Sequence, residues 1–186
     1  MSVMYKIRIH GRGGQGGKLA SKIIGSAAFL EGHEVQDFAR YGAERRGSPV
    51  ESFVRIDKEK VLERGYIGDP DCVIVLDETL LDLVDVTYGL KKGGIIIINT
   101  KKQYPRFKKK GFKVYSVDAT SIAMKHLGQP MYNTAMLGAF ANVTDLIDFE
   151  HIKQALQHEI GKKVGADFIK KNMAAVHEAY EEVVIQ

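Results

Sequence analysis

The first segment that could do chemistry is a run of glycines near the N-terminus, here named the glycine loop: Gly11, Arg12, Gly13, Gly14, Gln15 and Gly16. Glycine permits positive φ and lets a phosphate approach the backbone, and free N–H groups at a helix start attract anions. The Gly-x-Gly-x-x-Gly spacing after a strand pattern therefore predicts an anion-tolerant loop. Close packing of helix on strand, or of one subunit on another, explains the same glycines equally well.

A second polar segment, residues 41–49, is here named the arginine loop. Its residues that could contact a ligand or partner are Tyr41, Gly42, Glu44, Arg45 and Arg46. Arginine pairs bind carboxylate or phosphate in a forked geometry, whereas exposed ion pairs contribute little stability. Local ion pairs in solvent are the alternative interpretation. Both loops follow strands, so we expect them to be neighbours at the carboxyl edge of a sheet, where ligands bind.

The glycine loop also permits a competing hypothesis, a free-standing oxidoreductase that binds NAD or FAD. Such a domain carries an acidic residue near the end of its second strand to hold the ribose, and Asp37 occupies that place. However, Phe38 is followed by a loop without apolar periodicity and then directly by another strand pattern, which leaves no room for a second crossover helix. We therefore rank this hypothesis second, ahead of a coenzyme A or nucleotide sensor without enzyme context.

The elements that must position these loops alternate between strand and helix patterns. Strand patterns lie at 5–10, 35–38, 50–56, 71–76, 94–98 and 113–117. Helix patterns lie at 18–30, after Asp77 toward Tyr88, from a cap at Asp118 or Thr120 to His126, and at 133–145, 149–160 and 166–183. This order predicts one α/β domain over residues 1–186, a Rossmann-like variant with a mostly parallel sheet covered by helices and a helical C-terminal third.

Composition limits the possible functions. The chain has 186 residues, 45% hydrophobic and 27% charged, which is ordinary for a soluble globular domain. No apolar run approaches the ~20 residues of a membrane span, and no signal-peptide layout is present, so we expect a cytoplasmic protein without membrane contact. The one cysteine, Cys72, cannot alone hold a metal or an iron–sulfur cluster. No histidine has metal-ligand spacing, and we expect no catalytic residue and no metal site.

The net charge of +4 arises partly from one crowded basic stretch. Its members are Lys101, Lys102, Arg106, Lys108, Lys109, Lys110 and Lys113. A solvated loop is the favoured interpretation, and a phosphate-bearing ligand or an acidic protein partner is the alternative. Nucleic acid is not expected, because no motif that reads RNA or DNA accompanies the lysines.

The two loops together resemble a known family, the gamma subunits of pyruvate and related 2-oxoacid:ferredoxin oxidoreductases. The resemblance rests on Gly-Arg-Gly-Gly-Gln-Gly at 11–16 and Tyr-Gly-Ala-Glu-Arg-Arg-Gly-Ser-Pro at 41–49. Three further segments agree in the same order: 73–81, 93–100 and Asn-Thr-Ala-Met-Leu-Gly-Ala at 133–139. Asn133 and Thr134 are expected to start a helix near the glycine loop, where they can cap the helix or donate to a ligand.

The resemblance implies a function that residue chemistry alone does not reach. The family complex decarboxylates and oxidises a 2-oxoacid, forms an acyl-CoA and passes electrons to ferredoxin. Thiamine diphosphate and magnesium are implied on alpha and beta subunits, and iron–sulfur clusters on beta and delta subunits or fused equivalents. The gamma subunit is implied to pack on this catalytic core and to help form the coenzyme A and partner surface, with ferredoxin an indirect partner. Pyruvate is the preferred substrate, because the Tyr-Gly-Ala-Glu-Arg segment is most similar to pyruvate-type subunits.

Overall fold

A computed structural model describes residues 4–40, 47–161 and 164–186. Its centre is a sheet of seven strands in the order β2-β3-β1-β4-β5-β6-β7. The strands are β1 (Tyr5–Arg12), β2 (Glu34–Ala39), β3 (Pro49–Asp57), β4 (Cys72–Val75), β5 (Ile95–Asn99), β6 (Lys113–Val117) and β7 (Val184–Ile185).

The middle of the sheet is parallel and its margins are antiparallel. Strands β1, β4, β5 and β6 run in one direction, while β3 is antiparallel to both β1 and β2, and β7 is antiparallel to β6. Strands β2 and β3 follow each other in the sequence, as expected, and pair antiparallel. The predicted fold class is confirmed.

In the part of the chain that the structure describes, six α-helices cover this sheet and fill the C-terminal third. They are α1 (Gly17–Leu30), α2 (Pro105–Lys109), α3 (Ala119–Leu127), α4 (Tyr132–Thr144), α5 (Phe149–Gly161) and α6 (Ala166–Glu182). One face of the sheet presents Ile7, Ile74 and Ile97 to a core that helices α1 and α3 to α6 complete. The opposite face packs β4, β5 and β6 against Phe107 of α2 and against apolar residues of segment 80–90. Both faces of the central strands are therefore buried, which explains their continuous apolar sequences.

The opposite face of β1 is polar although it is buried. The Arg8 guanidinium is 3% exposed and donates to the carbonyl oxygens of Ile67, Val86 and Tyr88. Its Nε also donates to His10 Nε2 at 3.0 Å. Burial and the charge of Arg8 lower the pKa of His10 to about 3. His10 is therefore a neutral structural acceptor at neutral pH and not an acid–base group.

Two sequence predictions of secondary structure were wrong and one strand was missed. The helix expected from Asp77 toward Tyr88 is only a 3₁₀ helix, Glu78–Asp82. A separate turn follows it, in which the Asp85 carboxylate accepts from both the N–H and the hydroxyl of Thr87. The basic stretch, expected as a loop, contains α2, and the short strand β7 was not predicted.

The helical third depends on one close approach between α4 and α6. A Cβ added to Gly138 would lie 1.9 Å from the carbonyl oxygen of Val176 and 2.9 Å from the nitrogen of Tyr180. Both atoms belong to the backbone of α6, so they cannot move aside as a side chain would. Glycine at this position of the 133–139 segment therefore sets the spacing of the two helices.

Replacing Gly138 by alanine is expected to destabilise the chain by about 1–3 kcal/mol or more, because the added methyl must push two helix backbones apart. Gly161→Ala is the matched control: the added Cβ would meet only Ile169 Cδ1, at 3.5 Å. The control should leave the free energy of unfolding unchanged or raise it slightly. Urea unfolding of both variants measures this difference, and equal stabilities would contradict the inferred contact.

Candidate functional site

The glycine loop connects the end of β1 to the start of α1, as predicted. Gly14 and Gly16 have φ angles of 94° and 78°, a region that residues with a Cβ rarely adopt. Gly16 is the N-cap residue of α1, and its carbonyl accepts from the N–H of Ala20 at 3.0 Å. At Gly11 a Cβ would lie 3.1 Å from Leu76 Cδ1, so β1 also passes close to the end of β4. The glycines thus serve both the turn and the packing.

Arg12 and Gln15 of the glycine loop bind a carboxylate of the chain itself. Arg12 Nε donates to Asp77 Oδ2 at 3.0 Å, and Gln15 Nε2 donates to the same oxygen at 2.7 Å. The other oxygen of Asp77 accepts from the N–H and the hydroxyl of Thr79. Gln15 also folds back, because its Oε1 accepts from the N–H of Arg12 at 2.6 Å. We refer to this arrangement as the Asp77 clamp.

The Asp77 clamp keeps its carboxylate ionised. Partial burial raises the pKa of Asp77. Hydrogen bonds from Thr79 and Gln15 and the charge of Arg12 lower it by more, so the pKa lies below its usual value. The side chains of Arg12 and Asp77 are only 25% and 16% exposed. Arg12 and Gln15 are therefore already engaged, and an anion at this loop would have to meet backbone N–H groups and other cations.

The end of the arginine loop that the structure describes lies against the glycine loop. The N–H of Gly13 donates to the carbonyl of Ser48 at 2.9 Å, and the N–H of Gly47 donates to the carbonyl of Gly13 at 3.1 Å. Arg12 Nη1 donates to the carbonyl of Gly47 at 3.0 Å. The predicted proximity of the two loops is thus confirmed for Gly47 and Ser48.

Five residues proposed for the arginine loop lie outside the described part of the chain: Tyr41, Gly42, Glu44, Arg45 and Arg46. Their ligand-binding role stays a prediction.

Asn133 and Thr134 have different surroundings, although both lie in the first turn of α4. Asn133 is 4% exposed and lies against Gly16, where a Cβ would come within 2.5 Å of its Nδ2. Thr134 is 1% exposed, and its hydroxyl hydrogen-bonds to Asn172 Oδ1 of α6 at 2.8 Å. Asn133 lies near the glycine loop, as expected. The expected capping is wrong for both residues, because α4 begins at Tyr132 and no side chain caps it. The Thr134 hydroxyl instead joins two helices inside the core.

A cleft of about 620 Å³ opens beside the glycine loop. Gly13, Gly14 and Lys18 line one side of it, and Arg40 and Glu51 line the other. Nothing lies within 4 Å of the Cβ position of Gly14, so the backbone there is accessible. Accessible backbone at a helix start beside basic side chains suits a phosphate-bearing ligand such as coenzyme A.

Asp37 does not take part in this cleft. It lines a different cleft, together with Gly25 and Ser26 in the middle of α1, and its Cβ lies 3.3 Å from the Cβ position of Gly25. Burial is the main cause that raises the pKa of Asp37. An acid that holds the ribose should face the same cleft as the glycines, so this geometry does not favour the dinucleotide hypothesis.

A second polar cleft was missed from the sequence. It measures about 390 Å³ and lies at the carboxyl ends of β4 and β5, lined among others by Glu78, Asn99 and Thr100. Glu78 accepts from the Thr100 hydroxyl, from Lys102 Nζ at 2.8 Å and from the Tyr104 hydroxyl at 3.1 Å. The sequence signal that could have indicated this cleft was Asn99 and Thr100, two polar residues directly after the predicted strand 94–98.

The single cysteine of the chain cannot hold an iron–sulfur cluster, and the described residues form no metal site. A cluster needs several cysteine thiolates, and the single thiol of Cys72 is buried in the core, where burial raises its pKa. Within residues 4–40, 47–161 and 164–186, no three His, Cys, Asp or Glu side chains are placed to share an ion. No helix in these ranges is long and apolar enough to cross a membrane.

The fold and the paired loops agree with a family comparison. The family model of pyruvate ferredoxin/flavodoxin oxidoreductases matches residues 6–182. Because this match spans nearly the whole sequence, the chain belongs to the pyruvate ferredoxin/flavodoxin oxidoreductase family. The family predicted from the two loops is confirmed.

Individual relatives narrow the family to one type of subunit. The chain is 46% identical to the pyruvate/ketoisovalerate oxidoreductases common subunit gamma of Thermococcus litoralis, with 98% of each chain covered. It is also 46% identical to the pyruvate synthase subunit PorC of Methanocaldococcus jannaschii, covering 97% of this chain and 98% of the relative. The crystal structure of pyruvate oxidoreductase subunit PORC from Thermotoga maritima superposes with a TM-score of 0.85 at 36% identity and covers 98% of both chains.

The contact between Gly16 and Asn133 can be tested with paired glycine substitutions. Gly14→Ala and Gly16→Ala each introduce a side chain at positive φ, which costs on the order of 1–2 kcal/mol. Only Gly16→Ala also collides with Asn133, so it should destabilise the chain by roughly 1–3 kcal/mol more than Gly14→Ala. In an Asn133→Ala background this excess should disappear. Urea unfolding measures all the variants, and an excess that persists without Asn133 would refute the contact.

Proposed function

We propose that this chain is the gamma subunit of an assembly that oxidises a 2-oxoacid with coenzyme A and passes the electrons to ferredoxin. The observation that carries the proposal is the end-to-end match to gamma and PorC subunits. Pyruvate is the preferred substrate, and the branched-chain ketoisovalerate is the second candidate, since one relative is named as common to both enzymes.

The proposed reaction needs chemistry that lies outside this chain. One 2-oxoacid, one coenzyme A and two oxidised ferredoxins give one acyl-CoA, one CO₂, two reduced ferredoxins and one proton. The carbon–carbon bond to the carboxylate breaks, a thioester bond forms, and each ferredoxin accepts one electron. Thiamine diphosphate with magnesium supplies the carbon–carbon bond chemistry, and iron–sulfur clusters carry the electrons. We assign these groups to alpha, beta and delta subunits or their fused equivalents, as the family resemblance implies.

The glycine-loop cleft supports a binding role for this chain. Its accessible backbone at Gly14 and its basic residues Lys18 and Arg40 suit the phosphates of coenzyme A. The arginine loop begins directly after Arg40, so Arg45 and Arg46 are proposed to extend this positive wall. The Asp77 clamp holds the glycine loop in place, because Arg12 and Gln15 both bind its carboxylate.

The described residues give no support to catalysis by the isolated chain. His10 is buried and neutral, Cys72 lies in the core with a raised thiol pKa, and Asp77 is held ionised by its hydrogen bonds. The role that we propose for this chain is therefore binding and assembly, with the catalytic groups on partner subunits.

The proposed function can be tested by recovering the assembly. Affinity purification of the tagged chain from its own cells should recover larger subunits that contain thiamine diphosphate and clusters. The recovered material should reduce a viologen dye only when a 2-oxoacid and coenzyme A are both present, and pyruvate should give the highest kcat/KM. Recovery of the chain alone with bound NAD or FAD would overturn the proposal in favour of the dinucleotide hypothesis.

The arginine loop provides a sharper test within the assembly. In the Arg45→Ala/Arg46→Ala variant, the KM for coenzyme A should rise about tenfold or more, or assembly should weaken, because two cations leave the proposed phosphate wall. The melting temperature of the isolated chain should not change, because the proposed role of the two arginines is binding. Lys170→Ala/Lys171→Ala on α6 is the control. An unchanged KM together with intact assembly would count against the role of the arginines.

A further inference from the structure

Six of the seven cations of the basic stretch 101–113 fall into two groups, while the seventh, Lys110, lines a groove together with Asp85. In the first group each cation is held by a carboxylate: Lys101 by Asp118 at 2.9 Å, Lys102 by Glu78 at 2.8 Å and Arg106 by Asp82 at 3.3 Å. The carboxylates come from two places, the 3₁₀ helix Glu78–Asp82 and the N-cap of α3. These cations belong to the local structure of the fold and need no outside partner.

The second group has no such partner. Lys108, Lys109 and Lys113 are exposed, and none forms an ion pair with a described residue. Lys92 is also exposed and unpaired within the described ranges. It lies in the turn before β5, where the N–H of Lys113 donates to the carbonyl of Gly94 at 3.0 Å. These four lysines therefore gather at one end of the sheet, around α2 and the starts of β5 and β6.

The fold holds this group in place through Phe107. The Phe107 side chain is 5% exposed and packs into the core beneath α2, so the adjacent lysines on the helix surface face solvent. Arg106 lies over the Phe107 ring at 5.1 Å, which covers the aromatic surface there. Lys108 and Lys109 lie in the last turn of α2, where positive charge is favourable. Lys92 and Lys113 lie outside the helix and repel them, so helix stability does not account for the whole group.

An exposed apolar residue lies near α2. Leu83 is 61% exposed and borders a groove of about 360 Å³ that Arg106 and Phe107 of α2 also line, together with Lys110, Asp82 and Asp85. An exposed leucine among charged side chains is a typical feature of a protein-binding surface. We define the basic face as Lys92, Lys108, Lys109 and Lys113 together with Leu83.

The composition of the basic face indicates the chemistry of its partner. Lysine carries a point charge on a flexible side chain. Arginine binds phosphates and nucleic acids preferentially, because its planar guanidinium donates two hydrogen bonds at once. Lysine is also depleted in the cores of stable interfaces, which bury more apolar surface than one leucine offers. A lysine-rich face with little apolar area instead fits a brief, charge-steered encounter with carboxylates.

We propose that the basic face is a docking surface for an acidic protein that binds transiently, namely the electron-accepting protein of the reaction. That identification of the partner rests on the proposed function. The lysines act at a distance by attracting the acidic surface and orienting it, while Leu83 supplies a small contact area. The electrons reach the acceptor from clusters on other subunits, so this chain contributes recognition only.

The test compares two charge-reversal variants of the whole assembly with ferredoxin purified from the same cells as acceptor. Lys108→Glu/Lys109→Glu/Lys113→Glu should raise the KM for ferredoxin at least about tenfold at low ionic strength, and the ratio should shrink toward one at ~0.5 M salt. The activity with a viologen dye should stay as in the wild type, because a small acceptor does not need the face.

The control variant, Lys58→Glu/Lys60→Glu/Lys170→Glu, reverses the same number of charges elsewhere on the chain. These three lysines are also exposed and form no ion pair with a described residue. Two of them follow β3, which is four strands away from β6, or roughly 19 Å at the usual strand spacing. The control should leave the KM for ferredoxin within about twofold of the wild type.

Three outcomes separate this proposal from its rivals. An equal KM for ferredoxin in the test and control variants overturns the docking surface. Loss of assembly in the test variant alone, with an unchanged melting temperature of the isolated chain, overturns transient docking in favour of a permanent subunit interface. A wild-type assembly without 2-oxoacid- and coenzyme A-dependent dye reduction contradicts the proposed function instead. In that case, direct binding of purified ferredoxin to the two variants still decides the docking surface.

Discussion

The edge of the sheet that carries the glycine loop depends on the Asp77 clamp. One carboxylate, placed directly after the buried strand β4, accepts hydrogen bonds from Arg12 and Gln15 of the glycine loop and from Thr79 of the next turn. It joins segments that are more than sixty positions apart along the chain. Because Arg12 also reaches the carbonyl of Gly47, the clamp fixes the adjoining end of the arginine loop as well. The proposed binding surface at this edge therefore depends on the ionised carboxylate of Asp77.

The clamp changes how the glycine loop should be understood. Gly-x-Gly-x-x-Gly loops are usually interpreted as phosphate sites because glycine exposes backbone N–H groups. In this chain the glycines also let β1 pass Leu76 and let α1 start against Asn133. The packing and anion-binding interpretations are therefore compatible. Close packing brings the loop to the sheet edge, and the backbone at Gly14 stays accessible there.

Features set by local sequence could be predicted, and features set by distant contacts could not. The strands and most helices follow from apolar periodicity, and the glycine loop follows from its residue types. The Asp77 clamp was not foreseen, because Asp77 marked only the start of an expected helix and its partners Arg12 and Gln15 lie far away in sequence. Thr134 was misassigned for a similar reason, since its bond to Asn172 of α6 exists only after folding. Helix α2 was not predicted, because basic residues surround its single buried residue, Phe107, and leave no apolar periodicity.

The buried Arg8 has a consequence for the part of the sheet that no long helix covers. Its guanidinium holds carbonyl oxygens from two irregular stretches, Ile67 on one side and Val86 and Tyr88 on the other. Backbone carbonyls in such stretches have no ladder or helix to satisfy them. One side chain therefore fastens two separate coils to the sheet at once, so that they should loosen together or not at all, as one cooperative unit in hydrogen exchange.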